Sequence, residues 1–153
     1  MHKQLSGSAP YCAFKARGFT MTELLISMAI VGIIAAIALP SYQNATRRSN
    51  RTDAQITMAR VATLQERYFF QNNSYAANFS DMIAGMSPGD ALASDDGNYV
   101  VSLTLTGGGT GWSLTANAVG GQVNDLECAA LTLTSLGAKT ALDADANPST
   151  ECW

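Results

Sequence analysis

The chain has 153 residues, 47% of them hydrophobic and 14% charged, with a formal net charge of -3; one modest domain plus an apolar segment fits this better than an evenly patterned soluble protein. The first eighteen residues carry Lys3, Lys15 and Arg17 and no acid, leaving about -6 beyond Gly18, a balance that attracts nucleic acid poorly. The only histidine, His2, also lies in that basic stretch, so the remainder offers no nucleophile and base pair and an enzyme is not expected.

Residues 1–18 read as a basic leader to be removed on processing. They lack an apolar core of their own, unlike an ordinary secretory signal, and here the apolar run follows the expected cut and stays in the product. From Phe19 to Leu39 the chain is apolar, and Leu24 to Leu39 holds no charge and one hydroxylic residue, Ser27. As a helix these 21 residues span about 31 Å, the hydrocarbon thickness of a bilayer. The basic leader before the span and the acidic chain after it place the helix start in the cytoplasm and the C-terminal part in the periplasm.

Pro40 closes the membrane segment, 19–40, and the helix is expected to kink there and continue through 41–74. Ala54, Met58, Val61, Leu64, Tyr68 and Phe69 fall on one arc, while Asp53, Arg60, Glu66 and Arg67 fall elsewhere, so this half is amphipathic. Asn72, Asn73 and Ser74 end it. The rest, 75–153, begins as a loop to Asp96 with an Asp95-Asp96-Gly97 turn. The period then changes to two at Tyr99, Val101, Leu103 and Leu105. Gly107 to Gly111 turns the chain into a second strand with Trp112, Leu114 and Ala116. Ala130 to Thr134 makes a third, followed by a short Lys139–Leu142 segment. The fold class is α+β, a long helix packed on an antiparallel sheet of three or four strands.

Of three cysteines, Cys12 lies in the leader, and Cys128 and Cys152 remain as an even pair. A disulfide between them would stabilise the fold by roughly 3 to 4 kcal/mol; two buried thiols are the alternative.

The stretch Gly18-Phe19-Thr20-Met21-Thr22-Glu23-Leu24, then an apolar helix and Pro40-Ser41-Tyr42, resembles the precursor signature of type IV pilins and pseudopilins. The resemblance implies cleavage by a prepilin peptidase between Gly18 and Phe19, N-methylation of Phe19, and an assembly role for Glu23, paired with the amine of a neighbouring Phe19. A carboxylate at the edge of an apolar helix is costly in lipid, which favours such a pairing role. The resemblance also implies local loss of helix at Gly32 and Pro40 in fibres, and matches Cys128 and Cys152 to the family's C-terminal disulfide region. The Glu151-Cys152-Trp153 ending is similar to small minor pilins.

The implied function is a structural minor pilin that primes or modifies a type IV pilus. The alternatives are a type II secretion pseudopilin and a pilus-associated adhesin or DNA-uptake minor pilin. Other pilin subunits, the peptidase, an inner-membrane assembly platform and the bilayer are the implied partners, with nucleic acid not expected. No cofactor or metal is expected. Asp143, Asp145 and Asn147 have the spacing that opens a calcium loop, but Pro148 stands where glycine is needed and no terminal glutamate follows. Arg47, Arg48 and Arg51 form a small basic cluster, placed by the sequence against lipid headgroups or acidic neighbours.

Overall fold

A computed structural model describes residues 18–153. The leader expectations, with His2, Lys3, Cys12, Lys15 and Arg17, lie outside the described residues. One helix, α1, runs Met21–Asn72, with Pro40 inside it. The chain divides into two compact units between Pro40 and Ser41, and each is taken by itself.

In the first unit, Thr20 begins α1. Its Oγ1 accepts the Glu23 N–H at 3.2 Å and its carbonyl accepts the Leu24 N–H, while Glu23 adds a carboxylate to the first turn. This is half of a Thr-x-x-Glu capping box, and negative charge is favourable at the positive end of the helix dipole. Ser27 donates its hydroxyl to the Glu23 carbonyl at 2.7 Å, so the one hydroxyl of the apolar run is satisfied within the helix.

The second unit holds the rest of α1 and a five-stranded antiparallel meander: β1 Leu92–Ala93, β2 Tyr99–Thr106, β3 Gly111–Ala118, β4 Ala130–Thr134 and β5 Lys139–Leu142, neighbours in that order. The expected three or four strands become five because Leu92 and Ala93, read as loop, pair with Val101 and Val100. Period two sets the register of the others. Val101, Ala116, Leu131 and Ala141 lie opposite one another across four strands, and Leu103, Leu114 and Leu133 across three. Such rows are the unit of sheet stabilisation. Between β2 and β3, Gly107, Gly108 and Gly109 all have positive φ, so a side chain at any of them would be strained.

Ala54, Met58 and Val61 of α1 pack on Tyr99, Val101, Leu114, Ala116 and Leu131 of the sheet, with Phe79 beside them. Each large apolar side chain buried this way contributes about 1.5 to 3 kcal/mol. The helix ends at Asn72, as the Asn-Asn-Ser run predicts: Asn73 takes φ 52° and returns its N–H to the Phe69 carbonyl.

The buried stripe differs from the expected one. Leu64 and Tyr68 are only half-buried and Phe69 is exposed, whereas Arg51, Thr57 and Gln65 are buried. Gln65 earns its interior place by accepting the Ala76 N–H and donating to the Ala76 carbonyl, both at 3.0 Å, which pins the chain after the helix back onto α1.

Candidate functional site

In the first unit, every large apolar side chain from Leu24 to Leu39 is at least half exposed, from 50% at Leu24 to 73% at Ile37. The helix is long and apolar enough to cross a membrane, and among the described residues none buries this part of its length. An apolar surface of this extent marks an interaction with membrane or protein. Gly18 and Gly32 have open space around the position a Cβ would take, so no described residue demands glycine at either place. Phe19 is 77% exposed beside Gly18.

The second unit has a buried polar centre that the sequence reading missed. The Arg51 guanidinium meets Asp125 through two bonds, Nε to Oδ2 and NH2 to Oδ1, each 2.6 Å, and Glu127 at 3.1 Å. Arg51 is 6% exposed and Asp125 2%. Donation to Asp125 pushes the Arg51 pKa up, and donation to Glu127 adds to it, against the opposing effect of burial. Gln122 donates to Asp125 and to the Tyr99 hydroxyl and accepts from Asn50, and Tyr99 donates to the Cys128 carbonyl. Burial, with Asp125 nearby, raises the Tyr99 pKa, and the Gln122 bond opposes it.

This centre tethers both sides of the Cys128–Cys152 disulfide to α1. Asp125 and Glu127 precede one cysteine, and Gln55 donates to the carbonyl of the other at 2.7 Å. The 5.8 Å between the two Cα atoms is ordinary for a bridge. Arg51 therefore does not belong to an open basic cluster with Arg47 and Arg48. Its side chain turns inward, because 51, 54, 58, 61 and 65 share one helical face. That spacing was the available signal; the matching acid lies 74 residues away.

The Asp143–Pro148 segment forms the expected turn. Asp143 Oδ1 accepts the N–H groups of Asp145 and Asn147, and the Asn147 bond chiefly lowers the Asp143 pKa. No cluster of His, Cys, Asp or Glu suited to a metal occurs among the described residues.

An apolar helix without internal cover, joined to a disulfide-closed helix-on-sheet domain, defines the class of type IV pilins. Residues 40–132 match the family of the type IV minor pilin ComP, DNA uptake sequence receptor, and residues 14–39 match the prokaryotic N-terminal methylation motif. The Type IV wide pilus major component PilA4 of Thermus thermophilus is 34% identical over 103 residues, which cover 63% of this chain and 79% of that protein. A fimbrial protein of Neisseria meningitidis is 34% identical over 93 residues, 60% of this chain but only 51% of its own length. A solved type IV pilin from Shewanella oneidensis is 27% identical and aligns with 70% of this chain and 97% of its own, at a TM-score of 0.48. The chain belongs to the type IV pilin family, with an N-terminal methylation motif and a minor-pilin domain of the ComP type.

Proposed function

We propose that the protein is a minor subunit of a type IV pilus, anchored in the inner membrane as a precursor and then polymerised through the first half of α1. The observation that carries this reading is the apolar run Leu24–Leu39, exposed along its whole length behind a methylation motif. Water-excluding contact with lipid, and later with other pilin helices, covers that surface in turn. The domain from Ser41 onward is carried outside the cytoplasm, where the disulfide forms.

A prepilin peptidase cuts between Gly18 and Phe19, and the new Phe19 amine is methylated; the open space around Gly18 and the exposure of Phe19 support an external reader of both. Residues 1–18 leave as the leader. Glu23 pairs with the Phe19 amine of a neighbouring subunit and sets register through a poorly hydrated charge pair. Its place in the first helical turn supplies a second, purely local role in capping. Gly32 and Pro40 are where α1 extends most readily in the fibre, since Pro40 gives no N–H to the helix. The assembly platform of the inner membrane receives the processed subunit.

DNA uptake is a second reading, favoured by the family match to the DNA uptake sequence receptor. The charge distribution opposes it. Residues 41–153 hold six Lys and Arg against eleven Asp and Glu. Of the six, Arg51 is buried against acids and Arg60 pairs with Asp95, while Lys139 lies over the Trp153 ring. The phosphate backbone needs several free cations on one face.

Glu23→Ala separates assembly from processing. The variant is expected to be cut at Gly18 while its incorporation into sheared surface fibres falls at least tenfold, about the cost of one poorly hydrated charge pair; normal incorporation would refute the pairing. Deleting the gene and scoring fibres, twitching, DNA uptake and exoprotein release in parallel separates the pilus reading from the others. Loss of exoprotein release with intact fibres makes the protein a secretion pseudopilin instead.

A further inference from the structure

Two open pockets share a wall in the second unit, beside the first turns of α1 beyond Pro40. One, of about 360 Å³, is lined by Asn44, Arg47, Arg48, Asn124 and Leu126 together with the Arg51 centre. The other, of about 550 Å³, adds Tyr42 and Gln122. Asp125 and Glu127 are both engaged by Arg51, whereas the side chains of Arg47 and Arg48 make no ion pair or hydrogen bond among the described residues. Leu126 lines both pockets and Tyr42 lines the second with Arg47, and both are exposed, Tyr42 at 73% and Leu126 at 67%.

We propose that this face is a cradle for a phospholipid headgroup, in which Arg47 and Arg48 hold the lipid phosphate. The proposal rests on the membrane-anchored reading above and names the contact that the domain makes with the bilayer surface. Guanidinium groups form paired, charge-assisted bonds to phosphate oxygens, and the Asn44 amide supplies a neutral donor beside them, while the Asn124 amide already donates to the Gly121 carbonyl. Tyr42 and Leu126 pair an amphipathic ring with an apolar side chain, the kinds found where headgroups meet acyl chains.

Position in the chain favours lipid over a protein partner. Tyr42 to Arg48 follow Leu39, the last residue of the apolar run, within nine residues. The rest of the domain is acidic and is repelled by an anionic surface. The same two arginines therefore select which face of the domain meets the membrane. Release of this contact would accompany the subunit's exit from the bilayer into a fibre.

The test is amide hydrogen exchange on the full chain, in nanodiscs of phosphatidylglycerol and phosphatidylethanolamine, and in maltoside micelles with and without inorganic phosphate. Amides of residues 120–126 are expected to exchange roughly tenfold more slowly in the nanodiscs. Arg47→Ser with Arg48→Ser should abolish the difference while leaving the unfolding midpoint unchanged, since the bonds these residues make among the described residues are to their backbone and not to their side chains. Equal exchange in all media overturns the proposal. So does equal protection by inorganic phosphate in micelles, which makes the site a soluble-anion site. Protection that follows the number of protein copies per disc rather than the lipid also overturns it, and assigns the face to a second subunit. Residues 24–39 serve as the control: their protection in nanodiscs with none at 120–126 defeats the cradle alone, and loss of protection at 24–39 defeats the anchor.

Discussion

The two halves of α1 invert the usual relation between polarity and burial. From Leu24 to Leu39 the side chains are apolar and exposed, whereas beyond Ser41 the buried face includes Arg51, Thr57 and Gln65. For two of these, burial follows bonding partners: Arg51 has Asp125 and Glu127, and Gln65 has both backbone groups of Ala76, whereas the buried Thr57 hydroxyl has no hydrogen-bond partner among the described residues. Among the described residues the first half has no such partners. One helix thus carries an exposed apolar stretch and a face with buried polar residues, and Arg51 and Gln55 tie the second half to the disulfide region.

Removing Arg51 is the most direct way to break that contrast. Arg51→Met leaves the Asp125 carboxylate buried without its partner and is expected to lower the unfolding free energy of the domain by about 3 to 5 kcal/mol. Guanidinium unfolding of the full chain in maltoside, followed by the fluorescence of Trp112 and Trp153, measures it. Adding Asp125→Leu removes the stranded charge, and the double variant should recover most of the loss, because a buried ion pair and an apolar pair of like volume differ little. A loss below about 1 kcal/mol in the single variant would show that water reaches the pair.

The second half of α1 and the strands β2 to β4 were legible because each shows its period over several residues, 3.6 in Ala54, Met58 and Val61 and two in Tyr99 to Leu105, whereas β5 showed only as a short segment after a glycine turn. β1 was not legible, since two residues cannot display an alternation. Arg51 was grouped with Arg47 and Arg48 by adjacency in sequence, although its helical phase places it with Ala54 and Met58. The rule that charges lie outside obscured that phase, and only the distant Asp125 resolves it. Cys128 and Cys152 were legible as a pair. What tethers their loop to α1 depends on Gln55, Asp125 and Tyr99, contacts between residues far apart in the chain. The Thr20-x-x-Glu23 spacing also carries a helix cap, a local signal that stands beside the assembly role the resemblance implies for Glu23.

A smaller effect sharpens the account of the buried centre. Burial raises the Tyr99 pKa above the ordinary phenol value of 10.0, with Asp125 reinforcing it. The folded state thus keeps a proton that the unfolded chain gives up first. The stability this provides is present in full below about pH 10 and drains away as the pH climbs through the higher folded value. Between about pH 9 and pH 11 the unfolding free energy should fall more steeply in the native chain than in Tyr99→Phe. The variant itself costs about 1 kcal/mol at neutral pH through the lost bond to the Cys128 carbonyl. Some slope survives in it, because desolvation and the neighbouring Glu66 also raise Tyr75. Parallel curves for the two proteins would place the Tyr99 hydroxyl in contact with water.

The least effect is expected where polarity and exposure agree. Arg60 and Asp95 meet at 2.9 Å, but their side chains are 50% and 62% exposed, so solvent screens the attraction and both chains lose rotamer freedom in making it. Arg60→Ala should shift stability by less than about 1 kcal/mol, and the shift should shrink as salt rises toward about 0.5 M. The turn at Asp95 has a second attachment to α1, since the Asp96 N–H donates to Asp53 at 3.1 Å, which further limits the loss. Two arginines nine positions apart on one helix would then differ severalfold in the stability their removal costs, with charge and residue type held constant. A loss at Arg60 comparable with that at Arg51 would mean that the buried acid, rather than being special, is matched by an equally demanding site at the surface, and the contrast between inward and outward arginines would fail.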